Sequence, residues 1–205
     1  EFNPSSIIWD YEFDFQKAVP SYLEGADTTA YNLNKKAVYF NGISSRLTLP
    51  NSKDEFENGS FAVYVEWMPT NSKDNTQQII GHYNWEIWQY NNSLRFRIGR
   101  VNNATGQVYN INYPITSDFF NQKHSALAIY NPGENGYIEL YIDKKFIQRI
   151  GIGKDIIWKE YNGNKDLSFG NPLNKDFDFY QGYIYKADFS YTDLSLWSNN
   201  SSFKT

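Results

Sequence analysis

The sequence predicts an all-β chain with polar turns, and three observations carry that prediction. Aromatic residues make up 19% of the 205 residues, and rings together with Val and Ile suit a pleated, half-buried surface. Asn occurs 24 times, and Asn, Gly, Ser and Asp supply the backbone conformations that turns need. Apolar residues also alternate with period two. Phe61, Val63, Val65 and Trp67 share one face, Leu94, Phe96 and Ile98 another, and Ile138, Leu140 and Ile142 a third, as expected of strands with one face on a core. No stretch carries a helical stripe.

In chain order, strands are predicted at 7–15, 36–40, 46–49, 61–68, 78–82, 85–90, 94–100, 107–113, 125–130, 137–143, 146–150, 167–169 and 180–190. Turn signals separate them at Asn41-Gly42, Asn91-Asn92, Asn131-Pro132-Gly133, Asn135-Gly136, Asn162-Gly163 and Asn171-Pro172. All-β sandwiches run to roughly 200–250 residues as one domain. A single domain is therefore expected over 1–196, followed by a Ser- and Asn-rich tail at 197–205 that frays. The core is expected to hold Phe61, Val63, Val65, Phe96, Ile98, Leu140, Ile142 and Ile184.

Composition excludes several function classes. The chain has no Cys, which removes a disulfide scaffold, a Cys-based zinc site, an iron–sulfur centre and a thiol nucleophile. Its net charge is −4 with both signs interspersed, and its longest basic run is Lys144-Lys145, so no nucleic-acid footprint is expected. Apolar stretches fall far short of the roughly 20 residues of a membrane helix. No signal-peptide pattern opens the chain, as expected of a cytosolic protein or of a mature or excised fragment.

Six short motifs in series carry a family resemblance. They are Phe40-Asn41-Gly42 with Ser44 through Pro50, then Phe61 through Pro69, then Ile79-Ile80-Gly81 with Trp85-Glu86-Ile87. His124 through Ala128, Leu140 through Lys145, and Gly182-Tyr183-Ile184 with Asp193-Leu194-Ser195 follow. Their order and spacing resemble the concanavalin A-like lectin/glucanase superfamily in its laminin-G-like form, over about three quarters of the chain. The resemblance implies a jelly-roll sandwich of two curved antiparallel sheets. Where that family has Asp in the opening motif this chain has Asn41, its hairpin Gly is Lys145, and its last-strand acidic pair is Tyr185 and Lys186. Those departures bear on metal and acidic-site residues rather than on the fold. Calcium enters only by analogy with the fold, because no Asp/Asn cluster has a recognisable loop spacing.

A fold of this kind hosts lectins, hydrolases, lyases and adhesive modules, so function must come from a site. Retaining glycosidases need two carboxylates about 5–5.5 Å apart. Glu12-Phe13-Asp14 and Asp176-Phe177-Asp178 have a suitable strand spacing, but neither is followed by the third acid of the glucanase motif. Both are read as solvated strand-end acids, and no catalytic residue is assigned. His82 and His124 are the only imidazoles and have no neighbouring ligands that would make a metal site; His124 reads as a structural strand-start residue.

A binding patch is better supported. Residues 85–90 and 94–100 flank the turn at Asn91–Ser93 as a hairpin. With Leu94, Phe96 and Ile98 on the core, Arg95 and Arg97 face the other way, and pairing puts Glu86, Trp88 and Tyr90 beside them. Flat rings next to forked donors match a sugar's apolar face and its hydroxyl or carboxylate rim. Tyr109, Tyr113, Tyr183 and Tyr185 are lesser candidates. Sequons at Asn58, Asn91, Asn103, Asn199 and Asn200 all fall in expected turns or the tail. They suit an extracellular or surface-displayed glycoprotein, with other domains of a larger surface protein among its expected partners. The expectation is a non-catalytic lectin-like domain whose partner is a glycan or glycoprotein, with no membrane insertion. The alternatives are a structural or adhesive module that contacts protein without a sugar site and, third, a polysaccharide hydrolase or lyase.

Overall fold

The computed structural model describes residues 8–52, 59–70, 76–99, 108–153, 166–171 and 178–191. Two antiparallel sheets make up the molecule, as expected of a jelly-roll sandwich. The strands are β1 Tyr11–Asp14, β2 Ala30–Asn32, β3 Ala37–Asn41, β4 Leu47–Leu49, β5 Phe61–Pro69, β6 Thr76–His82 and β7 Trp85–Tyr90. They continue as β8 Ser93–Ile98, β9 Tyr109–Pro114, β10 His124–Asn131, β11 Gly136–Ile142, β12 Lys145–Gly153, β13 Leu167–Phe169 and β14 Gln181–Ser190. Short 3-10 turns sit at Ala26–Thr28 and Ser117–Phe119. The larger sheet runs β12-β11-β10-β5-β14-β3-β2, with β1 also paired to β14. The smaller runs β4-β13-β6-β7-β8-β9.

Period-two alternation builds the interior. Every residue expected in the core is 0–2% exposed and belongs to one cluster between the sheets. Phe61 of the larger sheet shows how the layers lock. Its ring centroid lies 5.2 Å from that of Trp85 and 6.5 Å from that of Phe96, both in the smaller sheet, and 5.5 Å from that of Phe189. Edge-to-face and offset rings at such separations add about 0.5–1.5 kcal/mol per pair beyond burial.

Several elements differ from the sequence expectation. The strand expected at 7–15 contracts to Tyr11–Asp14, and residues 1–7 lie outside the described residues. Strand β2 was not anticipated: its three residues hold one ring, Tyr31, too short a run to show alternation, and it forms by pairing with Ala37–Tyr39. The β11–β12 turn is also placed one residue earlier than the resemblance put it. Asp143 (φ 50°) and Lys144 (φ 66°) take the two left-handed positions, and Lys145 already pairs with Ile142. A two-residue hairpin of this type requires φ > 0 at both central residues. Asp143 accepts the strain while its carboxylate receives the Ser125 N–H at 2.8 Å and lies 2.8 Å from His124 Nδ1.

Gly170 is a close backbone approach in the core. Its φ is +85°, and a Cβ there would come within 2.3 Å of the buried Phe40 ring. Gly170→Ala combines left-handed strain with overpacking, and should destabilise by about 2–4 kcal/mol in urea unfolding. A loss under about 1 kcal/mol would show that Phe40 is free to move.

Candidate functional site

The face of the smaller sheet turned away from the core carries a continuous polar and aromatic row. In β7, Trp85 and Ile87 point into the core cluster, so Glu86, Trp88 and Tyr90 lie on the opposite side. Register places Glu86 opposite Arg97 and Trp88 opposite Arg95 on β8. Beyond them, Asn110 and Asn112 of β9 pair with Arg97 and Arg95. On the other flank are Gln78 and Gly81 of β6, Ser168 of β13 and Thr48 of β4. The five residues singled out in the sequence are thus brought together, and on the face expected.

Their exposure is not what an open stacking platform would have. Trp88 is 7% exposed, and the Arg97 guanidinium carbon lies 4.6 Å over its ring. Its Nε1 is buried without a hydrogen-bond partner among the described residues. Trp88 also lies 4.8 Å from Tyr90, whose ring carries the Arg95 guanidinium at 4.1 Å. Glu86 is buried and forms an ion pair with Arg97. Gly81 makes room for it, since a Cβ there would meet Glu86 Cβ at 2.9 Å and Gln78 Oε1 at 3.0 Å. Arg95 Nε donates to Ser93 Oγ at 3.1 Å and has no carboxylate partner among the described residues. Among the described residues, two guanidinium groups against one carboxylate leave the patch positive, each flat on a ring whose quadrupole attracts a cation.

The other candidates divide. Tyr109 and Tyr113 pack on the main core, with the Tyr109 hydroxyl donating to Ile152 O at 3.1 Å. Tyr183 and Tyr185 lie on the outer face of the larger sheet beside Met68. His124 stacks on Phe119 at 3.7 Å and is held by Asp143 and by Phe119 O, 2.9 Å from Nε2. Glu12 and Asp14 sit at exposed positions on β1. Asp178 is described, whereas Asp176 lies outside the described residues, as do Asn58, Asn103, Asn199 and Asn200. Asn91 is exposed in the β7–β8 turn with φ 51°. Among the described residues no group of three or more His, Asp or Glu could hold a metal ion, and no helix is long and apolar enough to cross a membrane.

Two charged clusters on the outer face of the larger sheet escaped sequence reasoning. In one, Lys186 Nζ lies 2.7 Å from Asp188 and 3.8 Å from Glu12, while Lys123 Nζ meets Glu66 at 2.5 Å. The Asp188 side chain is completely buried. Burial pushes its carboxyl up to about 6, with Glu12 and Glu66 adding to the rise and Lys186 offsetting only part of it. In the other, buried Glu139 holds Arg149. The signal for the second was cross-strand register, and for the first it was the i, i+2 spacing of Lys186 and Asp188 on β14 together with the register that sets Glu12 beside them.

No family model and no curated protein matches the sequence, so the superfamily resemblance is not confirmed. Solved structures do resemble the fold. The ligand-binding domain of botulinum neurotoxin serotype D, in complex with N-acetylneuraminic acid, aligns with TM-score 0.65 at 14% identity, over 91% of this chain and 48% of that one. The binding domain of botulinum neurotoxin DC in complex with rat synaptotagmin II aligns with TM-score 0.60 at 17% identity, over the same 91% and 48%. The Ruminococcus gnavus IT-sialidase CBM40, bound to α2,3-sialyllactose, aligns with TM-score 0.62 at 9% identity, over 77% of this chain and 91% of that one. This chain spans about half the length of the toxin domains it matches. These similarities show the fold, and these neighbours are binding domains rather than catalytic ones.

Proposed function

We propose that the chain is a non-catalytic glycan-binding domain, extracellular or surface displayed, whose site is the outer face of β7 and β8 and whose ligand is an acidic glycan. One observation carries this reading. Arg95 lies on Tyr90 without a carboxylate partner among the described residues, beside an Arg97 already neutralised by Glu86. A pre-oriented guanidinium fork matches a carboxylate bidentately, and the half-buried Tyr90 offers a flat face beside it. Support comes from neighbours of the same fold that bind N-acetylneuraminic acid and sialyllactose. Trp88 takes a different part from the stacking anchor expected from the sequence: buried beneath Arg97, it fixes that guanidinium.

Arg95→Lys should weaken an acidic trisaccharide such as 3′-sialyllactose about ten-fold or more, since a charge-assisted hydrogen bond is worth about 1.5–3 kcal/mol. It should leave lactose nearly unaffected. Binding should fall as salt rises. Calorimetric titration of wild type and variant decides this, and equal affinities for the acidic ligand would move the site elsewhere.

The burial of Trp88 favours a second reading, an adhesive module that contacts protein through this face. One neighbour of the same fold is a complex with synaptotagmin II. A glycan array with no hit on the folded domain would select this reading.

A further inference from the structure

The two outer faces of the sandwich repeat one arrangement. On the smaller sheet, Glu86 pairs with Arg97 directly across strands, and Arg97 covers the ring two residues along, Trp88. On the larger sheet, Glu139 of β11 pairs directly with Arg149 of β12, and Arg149 covers Tyr137, again two residues from the Glu, at 4.1 Å. Ile138, Leu140 and Ile142 point into the core, so Tyr137, Glu139 and Tyr141 line the outer face. We propose that Glu139, Arg149, Tyr137, Tyr141 and Phe146 form a second binding site, for an acidic saccharide, on the opposite side of the molecule from the first.

The chemistry follows from what holds Arg149 and what it leaves open. Its Nε and one Nη both lie 2.5 Å from Glu139 Oε1. That contact uses one edge of the guanidinium, and the Tyr137 ring covers one face. Of five N–H donors in a fixed fork, those of the outer end have no partner among the described residues. Glu139 is 5% exposed, yet Arg149 is 55% exposed. A buried carboxylate therefore aims an accessible cation outward.

Beside it, Phe146 is 56% exposed and packs edge-on against Tyr141 at 5.5 Å. Burial and Glu139 push the Tyr141 hydroxyl up to about 12, so it stays neutral at physiological pH. Among the described residues β12 has a strand partner on one side only. A carboxylate or sulfate fits the outer fork, while the ring that carries it lies on Phe146. A domain with such sites on opposite faces can bridge two glycan chains, one on each side.

The second site rests on its own geometry and survives failure of the first. The test is calorimetric titration of wild type, Arg149→Lys, Phe146→Ala and Arg95→Lys with 3′-sialyllactose, 3′-sulfolactose and lactose. Arg149→Lys keeps a charge for Glu139 and removes only the fork, and circular dichroism checks each fold. Wild type should take up two equivalents of an acidic trisaccharide or disaccharide. Arg149→Lys should weaken one of them about ten-fold or more, Phe146→Ala should weaken the same one, and Arg95→Lys should leave it intact. One equivalent lost only in Arg149→Lys would sustain this site and overturn the β7–β8 reading. One equivalent lost only in Arg95→Lys would do the reverse. No saccharide binding, or binding of a sulfotyrosyl peptide alone in a control titration, would overturn the assignment here.

Discussion

Replacing Phe96 with Ala should destabilise the domain by about 3–5 kcal/mol, through lost transfer free energy and the cavity left behind. Phe96 is fully buried, and its ring meets that of Phe61 across the sandwich at 6.5 Å, nearly edge-on. For a chain of this size, about 2–4 °C of melting temperature accompanies each kcal/mol, so thermal unfolding should move down by about 6–20 °C. The same experiment tests the face that carries the proposed site. Phe96 pairs with Ile87 and with Ile111, all three on the core side. A one-residue slip of β8 would exchange every side chain between faces and turn Arg95 and Arg97 inward. A melting temperature within about 2 °C of wild type would show that slip, and the candidate site would fall with it.

Asp188 should contribute a loss of stability between about pH 4 and pH 6, read as the difference between wild type and Asp188→Asn. Its carboxyl is raised to about 6 in the folded protein, by burial first and then by Glu12 and Glu66. An unfolded Asp titrates near 3.9. Between those values the folded state holds a proton that the unfolded chain has released, so stability declines as pH rises. About two pKa units at 1.36 kcal/mol each give roughly 2–3 kcal/mol. Asp188→Asn should abolish this contribution in urea unfolding at pH 4, 5, 6 and 7, and should equal or exceed the wild type in stability at pH 7. Lys186, released from Asp188, is 30% exposed and still has Glu12 within 3.8 Å. A difference between wild type and Asp188→Asn that stayed constant from pH 4 to 7 would show that Lys186 keeps Asp188 ionised throughout.

The strands of the core were legible because alternation is a local property. Phe61 through Trp67 and Ile138 through Ile142 declare their inward faces in five or seven residues, and the core accepted them all. β2 left no such mark, because a three-residue strand is defined by its partner's N–H and C=O groups rather than by its own side chains. The turn at Asp143-Lys144 was misplaced by one residue for a related reason. Left-handed backbone here is held by contacts from His124 and Ser125, which lie far away in sequence.

The same division runs through the sites. Alternation in the sequence sufficed to bring Glu86, Trp88, Tyr90, Arg95 and Arg97 to one face, since the short hairpin between them fixes their register. It did not say that Arg97 would lie over Trp88 and bury it, because covering depends on which side chain of the next strand reaches across. Nor did it mark Asp188 or the Glu139–Arg149 pair. Asp188 is buried because β14 runs between β5 and β1, and Arg149 meets Glu139 only after a bulge between Leu140 and Tyr141 shifts the hairpin register. The sequence by itself determined the class of fold, the inward face of the long strands and the membership of the hairpin patch, all of which follow from side-chain period and short turns. Tertiary structure alone decided which outward groups are buried, which charges meet and which guanidinium edges stay open. Those outcomes depend on contacts between strands whose pairing no local pattern encodes.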